Sequence, residues 1–595
     1  MAHASLLTRL EIRTFKDRSW IEYNIAINHK TELSMEPWYW LNENSRAFLA
    51  RGYLSEGQTA EERIDVIAKA AEKFLKREGF ATKFTEYMSK GWISLASPVW
   101  SNFGINKGLP ISCFGSYVDD NMGSILYTNA EVGMMSKYGG GCSGFFGAVR
   151  SRGAGISDGN GHSSGAVHFM QLFETLINVV SQGSVRRGHF SPYLPAEHAD
   201  IMEFLDIGTE GNPIQKLTHG VTVGDAWMEA MIAGDEAKRK IWARIIQRRG
   251  EMGYPYIMFS DTANKNTVPV YKEKNLKIYA SNMCSEIMLP SKEDWSFVCC
   301  LSSLNLLHYD AWKETDLVET MTAFLDAVME DFIAKLEALR DHPEPEKRRA
   351  FDFMARAYNF AKANRALGLG VLGYHSLLQA KGLAFESDEA ATLNKEVFEF
   401  IYKKADAATI ELAKELGEPE VLKGYGRRNT TLIAIAPTTS SAFILGQVSQ
   451  GIEPIWSNCY VKDVAKMKVT IKNPTLEKLL TEKGKNDKVT WESIRDNDGS
   501  VQLLDFMSDD EKAVFRTFAE IDQMKIIEQA ADRQKHIDQA QSLNIMVEPD
   551  TPVKEINHMY IEAWKLGVKS LYYQHSMNAA QQMIRKKLAE REGKK

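Results

Sequence analysis

Residues 111–149 read ISCFGSYVDDNMGSILYTNAEVGMMSKYGGGCSGFFGAV. A short apolar run, ISCFGSYV, is followed by a helix-like segment that ends in glycines, and then by a second short apolar run, GCSGFFGAV. Short strands separated by helices read as βα units, which lie in a mostly parallel sheet or barrel. The same alternation continues outward. AVHFMQLFETLINVV (166–180) is helix-like, and LGLGVLGYHSLLQA (367–380), TTLIAIAPTTSSAFILG (430–446) and LGVKSLYYQ (566–574) each carry a strand-like run. Upstream, Ile64, Ile67, Ala68, Ala71 and Phe74 fall at helical spacing within residues 60–80, and Gly79 is placed to end that helix. A second apolar-striped helix is predicted over 315–337. Residues 462–510 are polar and acid-rich and read as a surface insertion, and the charged end MIRKKLAEREGKK reads as a frayed or exposed helix. The organisation predicted is a mainly helical region over 1–108, an α/β body over 109–575 and a charged tail over 576–595.

The chain has 595 residues, of which 44% are hydrophobic, 25% charged and 10% aromatic. That composition excludes wholesale disorder and a disulfide-stapled or collagen-like chain. The net charge of −6 argues against a generally basic nucleic-acid surface, though not against a local phosphate pocket. No apolar run approaches roughly 18 residues, so no membrane span and no secretory leader are predicted, and a reducing cytoplasmic setting is expected. The six cysteines are Cys113, Cys142, Cys284, Cys299, Cys300 and Cys459. They form no CxxC zinc pattern, so context must separate buried hydrophobes from catalysts.

Five clusters could carry chemistry. In Asn282-Met283-Cys284-Ser285-Glu286, an extended backbone would place an amide, a thiol and a carboxylate on one face. A loop around a small buried cysteine is the plainer reading. Cys113 lies in a strand-like run, and Cys299 and Cys300 end another; a redox pair would need two of these sulfurs close in space. Thr438, Thr439, Ser440 and Ser441 stand between a strand-like and a helix-like run, which suits either an anion site or simple N-capping. Tyr572 and Tyr573 are ordinary strand residues on their own. Ser181 to Gly188, SQGSVRRG, carries two arginines fit for a phosphate, or is a solvated turn.

Taken in order, SPVWSNFG, ISC, SQGSVRRG, SNMCSE, CCLSSLNL, APTTSSA with GIEP, and SLYYQ resemble the large (α) subunit of class I ribonucleotide reductase over about residues 91–574. The resemblance implies a ten-stranded α/β barrel of two five-stranded parallel halves with a central finger loop. Cys284 then matches the thiyl-radical cysteine, Glu286 the base at the 3′-hydroxyl and Asn282 the amide that holds the substrate. Cys113 and Cys299 match the pair that delivers protons and electrons and ends as a disulfide, with Cys300 a non-catalytic neighbour. Tyr572 and Tyr573 match the tyrosine pair that passes the radical inward. Thr438 to Ala442 match the substrate-phosphate segment, helped by Ser97 and Ser112.

The resemblance also implies control by dNTP or ATP effectors with Mg2+, at Asp120, Asn121, Ile125, Arg150, Ser181, Gln182 and Arg186. It implies an effector-dependent homodimer, ribonucleoside diphosphate substrates, a thioredoxin- or glutaredoxin-type reductant, and a small radical-generating β subunit that holds the metal. No cofactor is expected on this chain itself. Two departures stand out: the N-terminal region is too short for the ATP-cone that senses overall ATP and dATP, and no cysteine pair follows Cys459 to re-reduce the site. The alternatives are an adenosylcobalamin-dependent reductase, which lacks the tyrosine pair, and a non-catalytic nucleotide-binding protein, which would need no redox cysteines.

Overall fold

The alternation that begins at Ile111 becomes a curled sheet. The structure, a computed structural model, describes residues 36–592 apart from 157, 158, 160, 183–185, 465 and 466. Residues 1–35, and with them part of the N-terminal expectation, lie outside the described residues. In chain order the strands are β1 (Ile93–Leu95), β2 (Cys113–Tyr117), β3 (Gly141–Phe145), the short β4 (Ser181–Gln182) and β5 (Arg186–Arg187), β6 (His189–Pro195), β7 (Gly220–Val223), β8 (Tyr256–Phe259), β9 (Phe297–Asn305) and β10 (Leu367–Leu372). After them come β11 (Cys459–Val464), β12 (Met467–Lys472), β13 (Ile545–Val547), β14 (Ser570–Leu571) and β15 (Gln574–Ser576).

Strands β2, β3, β6, β7 and β8 run parallel, each hydrogen-bonded to the next. Helices Met122–Lys137 and Ala166–Val179 make the first two crossovers. The second half starts with β9 and β10, also parallel. Its next members are held by single bridges, Leu369 to Ile433 and Ile435 to Gln541, both parallel, and then by β13 against β15. The halves meet at two antiparallel seams, β2 with β9 and β8 with β14. Segments 431–435 and 539–547 therefore complete the second set of five, and the described residues form the ten-stranded ring that the resemblance implies. β1 adds to the other end of β9, antiparallel. The strands of β6 to β10 are buried almost throughout, as expected of a sheet covered by helices on its outer face.

The N-terminal helices belong to the same hydrophobic core. Helix Ala60–Leu75 starts with a capping box of Thr59 and Glu62 and buries Ile64, Ile67, Ala68 and Ala71. It ends earlier than the sequence predicts, at left-handed Lys76, and Gly79 instead opens the next helix, Phe80–Ser89. Phe84 on that helix stacks on Phe324 at 4.5 Å. Phe324 lies on Leu317–Arg340, the helix predicted over 315–337.

The polar segment 462–510 is more than a surface loop. β11, β12 and helices Pro474–Glu482, Lys488–Asp496 and Asp509–Val514 enclose a small core of their own, with Cys459, Leu476, Leu480, Trp491, Ile494 and Leu504 in it. Leu476 and Leu480 are four residues apart on one helix face, so a short apolar stripe was hidden in acid-rich composition. In the tail, helix Ala579–Glu592 buries Ile584 and Leu588. Among the described residues no helix is long and apolar enough to cross a membrane, and no group of three His, Cys, Asp or Glu side chains is placed to hold a metal ion.

Gly368 in β10 allows the tightest packing near a sulfur. A Cβ there would stand 2.6 Å from Leu301 Cδ2 and 3.0 Å from Cys299 Sγ. Gly368→Ala should therefore destabilise the fold by about 1–3 kcal/mol, the usual cost of overpacking. Urea unfolding of the variant beside the parent measures it, and an unchanged midpoint would contradict the packing described.

Candidate active site

The finger, residues 280–290, enters the ring as a tight turn. Asn282 Oδ1 accepts the backbone N–H groups of Glu286 and Ile287, both at 3.1 Å, and Ser285 N–H donates to Asn282 O at 3.2 Å. Ser285 is left-handed, with φ 67°. The extended segment expected for Asn282, Cys284 and Glu286 is thus replaced by a turn. The cause is local, because a short amide side chain folds back onto the amides that follow it and substitutes for a strand partner. Cys284 and Glu286 still face one cavity, while Asn282 is spent on holding the turn and points its Nδ2 toward Cys113 Sγ at 3.9 Å.

Both halves of the ring grip the finger. From the first half, Ser143 Oγ donates to Ser281 O at 2.7 Å, and Tyr193 Oη lies 2.5 Å from Ser281 Oγ. From the second, Ser542 Oγ donates to Cys284 O at 2.5 Å, Ala540 N–H to Glu286 O at 2.9 Å and Ser570 Oγ to Ser285 O at 2.8 Å. Gly141 clears the way, since a Cβ there would meet Met283 Cε at 3.0 Å.

The fingertip forms part of a cavity of about 610 Å³. Its wall includes Ser97, Ser112, Cys113, Cys284, Glu286, Thr438, Thr439, Ser440, Ser441, Tyr572 and Tyr573. This size is ordinary for a small-molecule site. Of the residues that the resemblance gives to catalysis and substrate binding, Asn282, Ala442 and Cys299 do not line it. Cys299 lies just behind the wall, 1% exposed, and is the direct cross-strand partner of Cys113 in the β2–β9 seam. Directly opposed residues of an antiparallel pair have Cα atoms about 4.5–5.5 Å apart. That is within the span a disulfide bridges. Cys300 points the opposite way, its thiol on Leu325 O at 3.3 Å.

Burial dominates the electrostatics. Glu286 is pushed up to about 7 by loss of solvent, against the pull of its hydrogen bonds to Asn282 and Ser542. The Cys299 thiol is raised well above its ordinary value, again by burial, while Gln539 Nε2 donates to its sulfur at 3.3 Å. Gln539, Ser542 and Asn544 were not found in the sequence, where they stand in the unremarkable run QAQSLN. Glu453 stands inside GIEP. It lines the cavity, bonds Asn544 and Trp456, and is also pushed up to about 7 by burial.

Tyr572 and Tyr573 follow β14 with ring centroids 4.4 Å apart. Tyr572 is hydrogen-bonded to Cys284, and burial raises both phenols. The order is therefore Tyr573, Tyr572, Cys284. A third tyrosine, Tyr256 of β8, packs 4.8 Å from Tyr572 and 5.2 Å from Tyr573.

Asp120, Asn121 and Ile125, which the resemblance links to an effector, lie elsewhere, at the start of helix Met122–Lys137. Asp120 receives Arg150 twice, from the backbone N–H at 3.0 Å and from Nε at 2.8 Å. Asn121 caps the helix through Ser124 N–H, and Ile125 is buried in the core. Ser181, Gln182 and Arg186 form the β4–β5 pair, but their side chains, and residues 183–185 entirely, lie outside the described residues.

Comparison with known proteins agrees with this geometry. The family model for the ribonucleotide reductase barrel domain matches residues 111–238, 236–421 and 419–574. The ribonucleoside-diphosphate reductase large subunit of Invertebrate iridescent virus 3 is 31% identical over 603 residues, spanning 88% of this chain and 92% of that protein. The corresponding large subunit of Danio rerio is 29% identical, over 88% of this chain and 74% of its own length. The class Id ribonucleotide reductase α subunit of Actinobacillus ureae superposes with a TM-score of 0.85 at 53% identity, covering 92% of this chain and 99% of that one. The chain belongs to the ribonucleotide reductase large-subunit family and is a catalytic, oxidoreductase subunit of that enzyme.

Proposed function

We propose that this chain reduces ribonucleoside diphosphates through a thiyl radical on Cys284. One observation carries the reading: Cys284 and Glu286 share a turn in a cavity whose wall holds Cys113, itself opposite Cys299. The Cys284 radical takes the ribose 3′ hydrogen and becomes a thiol. Glu286 accepts the 3′-hydroxyl proton, and the 2′-hydroxyl leaves as water after protonation by the Cys113–Cys299 dithiol. That dithiol then gives a hydrogen atom to C2′ and an electron to the 3′ carbonyl, ending as a disulfide, while Glu286 returns its proton to O3′. Cys284 then returns a hydrogen to C3′ and is a radical again. A substrate seated in the cavity would limit the access of bulk water to the intermediates. Ser97, Ser112 and the backbone and hydroxyls of Thr438 to Ser441 would hold the phosphates.

The radical enters from a metal-containing small subunit. It passes from Tyr573 to Tyr572 to Cys284, each step moving one electron and one proton. The tyrosine pair favours this over an adenosylcobalamin route. A thioredoxin- or glutaredoxin-type protein would reduce the disulfide. The effector, a dNTP or ATP with Mg2+, is assigned to Asp120, Asn121, Ile125, Arg150 and the β4–β5 pair. The exposed apolar residues Met122, Leu126, Leu172 and Val179 on two adjoining helices support a homodimer beside that site. A cytoplasmic location fits a reaction that consumes a reduced dithiol.

Cys284→Ser should abolish nucleotide reduction with the small subunit present while leaving dNTP binding at the parent level; turnover near the parent rate would defeat the assignment. Tyr572→Phe loses only a phenolic O–H. Small-subunit-dependent turnover should disappear while unfolding stability stays within about 1 kcal/mol of the parent. Glu286 must be ionised to act as the base, so turnover should fall as pH drops through about 7. A pH–rate profile for kcat/KM checks this, and an acidic limb in the ordinary carboxylate range would contradict it.

A further inference from the structure

Helix Glu236–Met252 ends behind the tyrosine pair, and its last turn holds a buried cation that the reaction scheme leaves unused. Arg249 is 0% exposed. Its Nη1 donates to Tyr572 O at 2.8 Å and to Pro255 O at 2.6 Å, and its Nε donates to Tyr560 Oη at 2.7 Å. Tyr560 Oη in turn donates to Gln574 Oε1. One turn on, left-handed Gly253 accepts Gln574 N–H at its carbonyl, 2.9 Å away. The residues on both sides of Tyr573 are thus fixed by one helix end. Pro255 precedes Tyr256, whose ring packs on both members of the pair. Among the described residues no carboxylate makes a salt bridge with Arg249. A buried guanidinium without a counter-charge is costly. Holding a strand edge alone would not require it, because neutral donors satisfy carbonyls equally well. What the planar guanidinium adds is rigid, charge-strengthened geometry, with Nη1 joining the carbonyls of Tyr572 and Pro255, which adjoin β14 and β8, and Nε joining Tyr560.

We propose that Arg249 is a positioning residue for radical transfer, fixing the Tyr572 backbone, and with it the ring spacing of Tyr572 and Tyr573, against β8. The inference rests on the reading of that pair as the radical path. It explains why a cation is buried at this point, outside the substrate cavity and away from Cys284.

The test uses the holoenzyme with its small subunit. Arg249→Lys keeps the charge and loses the fork. Its kcat should fall roughly tenfold to a hundredfold, the scale on which small misplacements act, while KM and dNTP binding stay at parent values. With 3-aminotyrosine at 573 or 572, the trapped radical should persist at 573 and diminish at 572. Tyr560→Phe removes one hydroxyl, and with it the bonds to Arg249 Nε and Gln574 Oε1, and should lower kcat several-fold with unchanged KM, which keeps the test open if Arg249→Lys does not fold. Parent kcat and parent radical yield in the variants that fold would overturn the proposal, provided Tyr572→Phe is inactive. Activity in Tyr572→Phe would instead overturn the radical-path reading beneath it.

Discussion

The antiparallel seam between β2 and β9 is the constraint on which the rest depends. It joins the two parallel halves, and its register sets Cys113 against Cys299. Side chains alternate along a strand, so a slip of one residue would turn the wrong face inward. Cys300 shows what that face sees: a helix carbonyl, far from any substrate. Ring closure and the pairing of Cys113 with Cys299 are therefore a single structural decision. The glycine of β10 beside Cys299 belongs to the same arrangement, because the neighbouring strand must come close for the seam to lie behind the cavity wall.

Desolvation is the second organising force. Two carboxyls, Glu286 and Glu453, border the cavity, and both are raised by burial to a range where protons move easily near neutrality. The phenols and the Cys299 thiol are raised in the same way and stay protonated. A protonated thiol and phenol can each give up a hydrogen atom, whereas a thiolate or phenolate can give only an electron. The dry interior thus selects the protonation states that hydrogen-atom chemistry requires.

Much of this was legible in the sequence, because strands, crossovers and motif order are local properties. Segments at ISCFG, GCSGF and LGLGVL became strands, and Cys113, Cys284, Tyr572 and Tyr573 of the motifs came to one cavity, with Cys299 behind its wall. The turn at Met283 to Ser285 was not legible, because Asn282 bonds residues that follow it and overrides alternation. Gln539 and Ser542 were missed for another reason. They touch Cys299 and Cys284 from 240 and 258 residues along the chain, and no spacing pattern reports such contacts. Arg249 and Tyr256 were hidden similarly, each an ordinary residue until the ring closes. The core of the insertion was masked by its charged exterior, which dilutes a stripe of few apolar residues.

The finger is tethered by serine hydroxyls from opposite halves, Ser143 on one side and Ser542 and Ser570 on the other. A loop moored to two banks cannot follow either one alone. Any displacement of one half against the other would be divided between the moorings, leaving Cys284 between the two walls. A sulfur so suspended would hold its place between the walls without needing a rigid barrel around it.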